Sequence, residues 1–209
     1  MISLALDCST AVGGVALARE DGSVLANEEF AAGRGRGGEL FVALERTLGT
    51  LRATGEALDE IVVGLGPGSY SGVRQVIAAA VGLAAATGAR LGGVPSVLAL
   101  RGRGGRYQTV GDARRGAFYY AAVQGRVCVV GPELLPDLAA LQARLVERSD
   151  WPVHVIESPL PDGLLAGAPV AAVDAAELLA VPPAARRLSP LEPIYLRPVS
   201  ITLPKTAAP

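Results

Sequence analysis

Short apolar runs divided by turn residues open the chain. Ile2–Asp7 is one such run ending in an acid, Val12–Arg19 is a second, and Val24–Phe30 is a third beyond the turn Asp21-Gly22-Ser23. Together they predict a three-stranded β-meander. After a Gly/Arg loop at Gly33–Gly38 the period lengthens: Leu40, Leu44, Leu48 and Leu51 recur at helical spacing as one apolar stripe. Asp59–Leu65 again reads as a strand. The loop Gly66-Pro67-Gly68-Ser69-Tyr70-Ser71-Gly72 then leads into an Ala-rich helix running to Thr87, with Gly88 suited to its C-cap. Leu91–Val94 is a further short strand, and Pro95-Ser96 opens a helical turn.

The stretch Arg101–Arg106 is polar, basic and Gly-rich, and marks a boundary between two lobes, residues 1–101 and 102–209. Beyond it, Tyr107–Asp112, Ala117–Gln124 and Arg126–Val130 read as strands, with a hairpin turn at Gln124-Gly125. Leu138, Leu141 and Leu145 mark a helix, Val153–Ile156 a strand and Ala175–Ala180 a short helix; the remainder is Pro-rich. A meander, helix, strand and helix in one lobe, with mixed elements in the next, predict an α/β fold of packed layers.

Composition narrows the chemistry. Half of the 209 residues are hydrophobic and 19% are charged, which excludes a disordered chain. A net charge of −1 provides no global field for nucleic acid or acidic membranes, so any RNA would be held with the help of a partner. There is 1 His (His154), one Lys (Lys205) and 2 Cys (Cys8 and Cys128). No Lys is placed to serve a Walker P-loop, and a multi-His zinc site is arithmetically impossible, so no metal site is expected. A Ser-His-Asp triad would have to use His154, which sits in a strand pattern and reads as structural. The two cysteines lie in apolar runs and read as small buried hydrophobes. The opening residues carry an acid at Asp7 without a positive segment, and the longest apolar stretch, Val76–Ala86, is shorter than a spanning helix of ~18 residues requires. A cytoplasmic protein without membrane contact is expected.

Four segments could carry function. The Gly66–Arg74 loop joins a strand to a helix; its glycines permit close backbone approach, and Ser69 or Ser71 can cap the helix, whose N-terminus is an anion site. The same residues also suit a tight turn with nothing bound. Asp7, Ser9 and Thr10, at a strand end, could orient a metal-bound phosphate or satisfy their own turn. Asp112-Ala113-Arg114-Arg115-Gly116 is an anion or partner contact, or a solvated hairpin tip. Ala78, Gly82 and Ala85 form a small-residue strip on the Ala-rich helix, which packs onto the chain's own sheet or onto another subunit.

Four blocks in order, LALDCSTAVGGVAL (4–17), VVGLGPGSYSGVR (62–74), DARRGAFYYAAV (112–123) and EPIYLRP (192–198), resemble the TsaB (YeaZ-like) family of the tRNA threonylcarbamoyladenosine pathway. The resemblance covers most of the chain; the glycine-rich block is its most specific part, and Gly37-Gly38 departs from the His-Ser often found there. It implies a two-lobed fold of the actin/hexokinase/Hsp70 superfamily, with mixed sheets flanked by helices. It also implies a non-catalytic paralogue that binds and supports TsaD, the subunit that transfers the threonylcarbamoyl group to adenosine 37, with the ATPase TsaE completing the assembly. TsaD-like chains carry two metal-binding His at positions that fall here on about Ser96 and Leu100. The family interface, carried over, makes Leu40, Leu44, Leu48, Ala78, Gly82 and Ala85 contact residues. The same helices could self-pair when TsaD is absent.

No catalytic residue and no cofactor of the isolated chain are expected on this reading, and tRNA, ATP or ADP would be met in the assembly. The alternative is a phosphotransferase of this superfamily, or a glycoprotease-like peptidase, acting alone. Asp7, Ser9, Thr10, Gly66, Gly68 and Ser69 would then contact a nucleotide or anion.

Overall fold

The computed structural model of the chain describes residues 1–33, 35–102, 105–156, 160, 164–188 and 190–197. Its first sheet grows from the opening meander. Strands β1 (Ile2–Asp7), β2 (Val12–Arg19) and β3 (Val24–Ala31) pair antiparallel, and β4 (Glu60–Gly64) and β5 (Arg90–Val94) add in parallel on the other side of β1. Helix α1 (Gly37–Thr54) connects β3 to β4, and α2 (Tyr70–Thr87) connects β4 to β5. Both helices end on left-handed glycines, Gly55 (φ 69°) and Gly88 (φ 75°), as glycine's freedom from a Cβ allows.

The second sheet repeats the plan. Strands β6 (Arg106–Asp112), β7 (Phe118–Gln124) and β8 (Val127–Leu135) form an antiparallel meander, with β9 (Val153–Ile156) parallel to β6 and β10 (Val170–Ala171) parallel to β9. Helix α3 (Leu138–Val146) lies between β8 and β9. The hairpin turn falls on Gly125-Arg126, both left-handed (φ 58° and 62°), and not on Gln124-Gly125, because Gln124 still pairs with Val127. One strand order thus appears twice, as β5-β4-β1-β2-β3 and β10-β9-β6-β7-β8, giving the mixed sheets flanked by helices that were expected. The chain then crosses back: α4 (Ala175–Leu179) packs on β1 and β2, and β11 (Arg187–Leu188) becomes a sixth strand beside β5. Among the described residues, no helix is long and apolar enough to cross a membrane.

The central strands sort their side chains by size. On one face Ile2, Leu4, Leu6, Val15, Leu17, Ile61 and Val63 pack with residues of α1 and α2. On the other, Ala5, Ala16 and Val62 join a core shared with the second lobe and α4. The period of two in a strand makes this separation automatic. The small face admits close neighbours: a Cβ on Gly14 would meet the Ala175 Cβ of α4 at 3.0 Å.

A buried ion pair ties the returning chain to this sheet. The Arg186 side chain, 6% exposed, pairs with Glu60, 10% exposed, and donates to the carbonyls of Leu179 and Val181 at 2.9 Å each. Arg186→Ala leaves the Glu60 carboxylate buried without its cation, and chemical denaturation should show a loss of about 3–5 kcal/mol. Replacing both partners by Leu should be far milder, because no uncompensated charge remains.

Candidate functional site

The end of β1 is a closed hydrogen-bond knot. Asp7 is 1% exposed, and its Oδ1 accepts from the Ser9 amide and the Ser9 hydroxyl, both at 2.7 Å. Its Oδ2 accepts from the Ser96 hydroxyl at 2.5 Å, and Ser96 Oγ in turn accepts from the Gly66 amide at 3.0 Å. The glycine-rich loop, which includes a cis Gly66-Pro67 bond, sits directly on this knot. The Ser69 amide donates to the Ser9 carbonyl at 2.7 Å. A Cβ on Gly64 would run into the Asp7 carboxylate, on Gly68 into the Ser9 carbonyl and on Gly72 into the Cys8 carbonyl. Ser69 caps α2 by accepting from the Gly72 amide at 3.2 Å. Burial drives the Asp7 carboxyl above its ordinary value of 3.8, against the hydrogen bonds from Ser96 and Ser9 that favour its charge. The neighbouring Cys8 thiol is pushed up to about 12 by burial and by the Asp7 charge, and burial takes Cys128 to about 12 as well.

A cleft of about 480 Å³ opens between the lobes in front of this knot. Thr10, Gly68 and Ser69 line it, together with Arg114 and Tyr119 of the second lobe and Tyr195 and Arg197 of the C-terminal segment. Of the six residues expected to contact a nucleotide or anion, the structure therefore brings Thr10, Gly68 and Ser69 to the cleft. Asp7, Ser9 and Gly66 stand behind it. Ser96 is committed to Asp7 and Leu100 is fully buried. The hairpin tip places Arg114 against its own acid, Asp112, at 3.0 Å. His154 is buried on β9 with its ring edge-on to Tyr107 at 5.8 Å. Arg101 pairs with Glu29 on β3 and with Asp174, the cap of α4; Arg103 and Gly104 of the expected boundary lie outside the described residues, as does Lys205.

On the opposite side of the first sheet, α1 and α2 leave an apolar groove open to solvent. Ala78, Gly82 and Ala85 are all exposed along α2; Ala78 and Gly82 line the groove, and Ala85 is not among its lining residues. The α1 half of the expected contact set needs correcting. Leu40 is 1% and Leu44 8% exposed, because the Leu40-Leu44-Leu48-Leu51 stripe is the face that packs onto the sheet. Leu44 and Leu48 both line the groove, Leu44 buried and Leu48 half-buried, and Leu40 is core. The prominent α1 residue is Phe41, 56% exposed, one position off the stripe. Its signal was a large aromatic on the polar side of an amphipathic helix. Around Gly82, no side chain or backbone beyond its own helical turn lies within 4 Å of where a Cβ would sit, so the chain's own packing does not require glycine there.

The knot yields a prediction. Asp7→Ala strands three donors and opens space beneath the loop, so unfolding free energy should fall by roughly 2–4 kcal/mol. Asp7→Asn keeps the Ser9 bonds and should cost much less. A buried acid whose value is raised binds its proton more readily in the folded state, so its contribution to stability falls as pH rises from 3.8 upward through its folded value. Urea titrations across that range should show this slope in the parent chain and its absence in Asp7→Asn.

Residues 34–149 match the family model of TsaD, tRNA N6-adenosine threonylcarbamoyltransferase. The tRNA threonylcarbamoyladenosine biosynthesis protein TsaB of Bacillus subtilis is 30% identical over 160 residues, 73% of this chain and 69% of that one. An uncharacterized protein of Mycobacterium tuberculosis is 31% identical over 205 residues, 93% of this chain and 90% of its own. The crystallised YeaZ of Pseudomonas aeruginosa superposes with a TM-score of 0.68 at 23% identity, covering 93% of this chain and 99% of that one, a likeness of fold. From the match to the Bacillus protein over this share of both chains, the chain belongs to the TsaB (YeaZ-like) family.

Proposed function

We propose that the chain is a non-catalytic subunit of the assembly that makes N6-threonylcarbamoyladenosine in tRNA, docking onto a TsaD-type subunit through the α1/α2 groove. The exposed apolar groove carries this reading. Phe41 and Leu48 on one side and Ala78 and Gly82 on the other form an apolar surface that water does not favour. Small residues on α2 let a partner helix approach closely, and Phe41 is the aromatic anchor such interfaces concentrate their energy on. The names carried by the Bacillus relative and the matching family model supply the pathway. The non-catalytic part rests on the resemblance, which puts the metal-binding His positions of TsaD-like chains at about Ser96 and Leu100; Ser96 is tied to Asp7 and Leu100 lies in the core. A TsaE-type ATPase, tRNA and any ATP or ADP would then join through the assembly.

A phosphotransferase acting alone is the competing reading, and it needs Asp7 at the nucleotide; the carboxylate instead faces Ser9 and Ser96. Calorimetry of the isolated chain with Mg·ATP separates the two, since the subunit reading expects no binding heat.

Size-exclusion chromatography with in-line light scattering, run with the TsaD-type subunit of the same genome, tests the interface. A heterodimer should form with the parent chain and vanish with Gly82→Arg or Phe41→Glu. Gly82→Ala should keep association and raise the stability of the chain by ~0.5–1 kcal/mol, because glycine in a helix interior is unfavourable relative to alanine. Association that survives Gly82→Arg and Phe41→Glu together places the interface elsewhere.

A further inference from the structure

We infer that the C-terminal segment and the β6–β7 hairpin tip form a contact surface for single-stranded RNA, built from Tyr70, Arg74, Arg114, Arg115, Tyr195 and Arg197. The inference rests on the tRNA reading above for its biological setting, but its evidence is a different surface. These six residues form one continuous path. Arg74 lies over the Tyr70 ring at 5.2 Å and donates to its hydroxyl at 2.6 Å. Tyr70 packs against Tyr195 with ring centroids 5.4 Å apart and ring planes tilted by 34°. Two residues on, Arg197 donates to the Arg114 carbonyl at 2.8 Å, and Arg115 is next in the chain.

Three features make this more than solvated surface. First, Tyr70 and Tyr195 are 50% and 48% exposed although both are large residues, so the pair stays open to a ligand despite packing on each other. Second, among the described residues no carboxylate pairs with Arg74, Arg115 or Arg197; only Arg114 has one, Asp112. The path thus carries Arg74, Arg115 and Arg197 without a carboxylate partner, beside the nearby acid Glu192, which acts on Tyr195. Third, Arg114 and Arg115 hold left-handed backbone angles, φ 65° and 57°. Non-glycine residues are disfavoured there by roughly 1–2 kcal/mol each, and Gly116 (φ 73°) shows what the turn itself prefers. The tip retains two arginines at positions better suited to glycine, which fits a use for their side chains outside the chain. Planar guanidinium groups interleaved with aromatic faces match a phosphate backbone with unstacked bases; an acidic peptide would leave the rings unused.

Fluorescence anisotropy of the full chain with a labelled single-stranded RNA tests this, between about 50 and 200 mM salt. Binding should weaken with salt, and Arg115→Gln and Arg197→Gln should each reduce the log–log slope by about 0.7, as expected for one phosphate contact on a single strand. Tyr195→Ser should weaken binding roughly 5- to 150-fold, the range for one lost stacking platform. The inference falls if no RNA binds across this salt range, or if these three variants bind like the parent. It falls equally if AMP, inorganic phosphate or a polyglutamate peptide displaces RNA as effectively as unlabelled RNA does. The assay uses the chain alone, so its failure leaves association through α1/α2 standing, and lost association leaves the RNA result standing.

Discussion

A carboxylate removed from water has to be met by donors, and at the end of β1 they come from distant parts of the chain. Ser9 supplies an amide and a hydroxyl from the next turn, while Ser96 supplies a hydroxyl from 89 residues away. That single acid therefore holds the first hairpin, the loop before α2 and the turn after β5 at one point. The geometry follows from the sheet: β1, β4 and β5 run parallel and end side by side, so their following loops converge. Gly64, Gly68 and Gly72 are the consequence, since each meets Asp7 or the backbone of Cys8 and Ser9 where a Cβ would have to go. In this chain the glycines of a phosphate-loop-like sequence accommodate backbone against backbone.

Local pattern was enough to anticipate most of the elements. The opening meander, the stripe on α1, the glycine cap of α2 and the strands β6, β7 and β9 all follow from periodicity and turn residues close in sequence. What escaped depends on distance. Strands β10 and β11 are two residues long and exist only because β9 and β5 offer edges to pair with. Whether Asp7 would serve a phosphate or a structural knot turned on the position of Ser96, which periodicity does not report. The α1 stripe shows the same limit from another side. Leu40, Leu44, Leu48 and Leu51 do form one face, but a helix lying on a sheet spends its most regular apolar face on its own core. The surface proposed for a partner is then built from exceptions to the pattern, Phe41 on α1 and the small residues of α2.

The division of side-chain size across the first sheet explains why those exceptions can exist. Leucines, isoleucines and valines fill the space under α1 and α2, so the two helices sit over a complete core and do not need to close on one another. The alanines on the opposite face let α4 and the second lobe come close, which places the returning chain where Arg186 reaches Glu60. The outer groove between α1 and α2 is left over from this arrangement: apolar, open, and not required by the fold.

Helix α2 links the two surfaces argued for. Its first residue, Tyr70, belongs to the aromatic and arginine path at the mouth of the cleft, and its middle turns carry Ala78 and Gly82 on the groove. Between them, Val73, Val76 and Ala80 are fully buried, and the Ser69 cap is pinned to Ser9 behind the knot. A rigid helix, anchored at its N-terminus by the Asp7 network and along its length by the sheet, would therefore fix the spacing between the proposed partner on the groove and the proposed RNA strand on the path. Neither surface can shift along the helix without the other, because side chains on one α-helix move as a unit. The buried acid at the end of β1 thus sets the geometry of both, although it lies on neither.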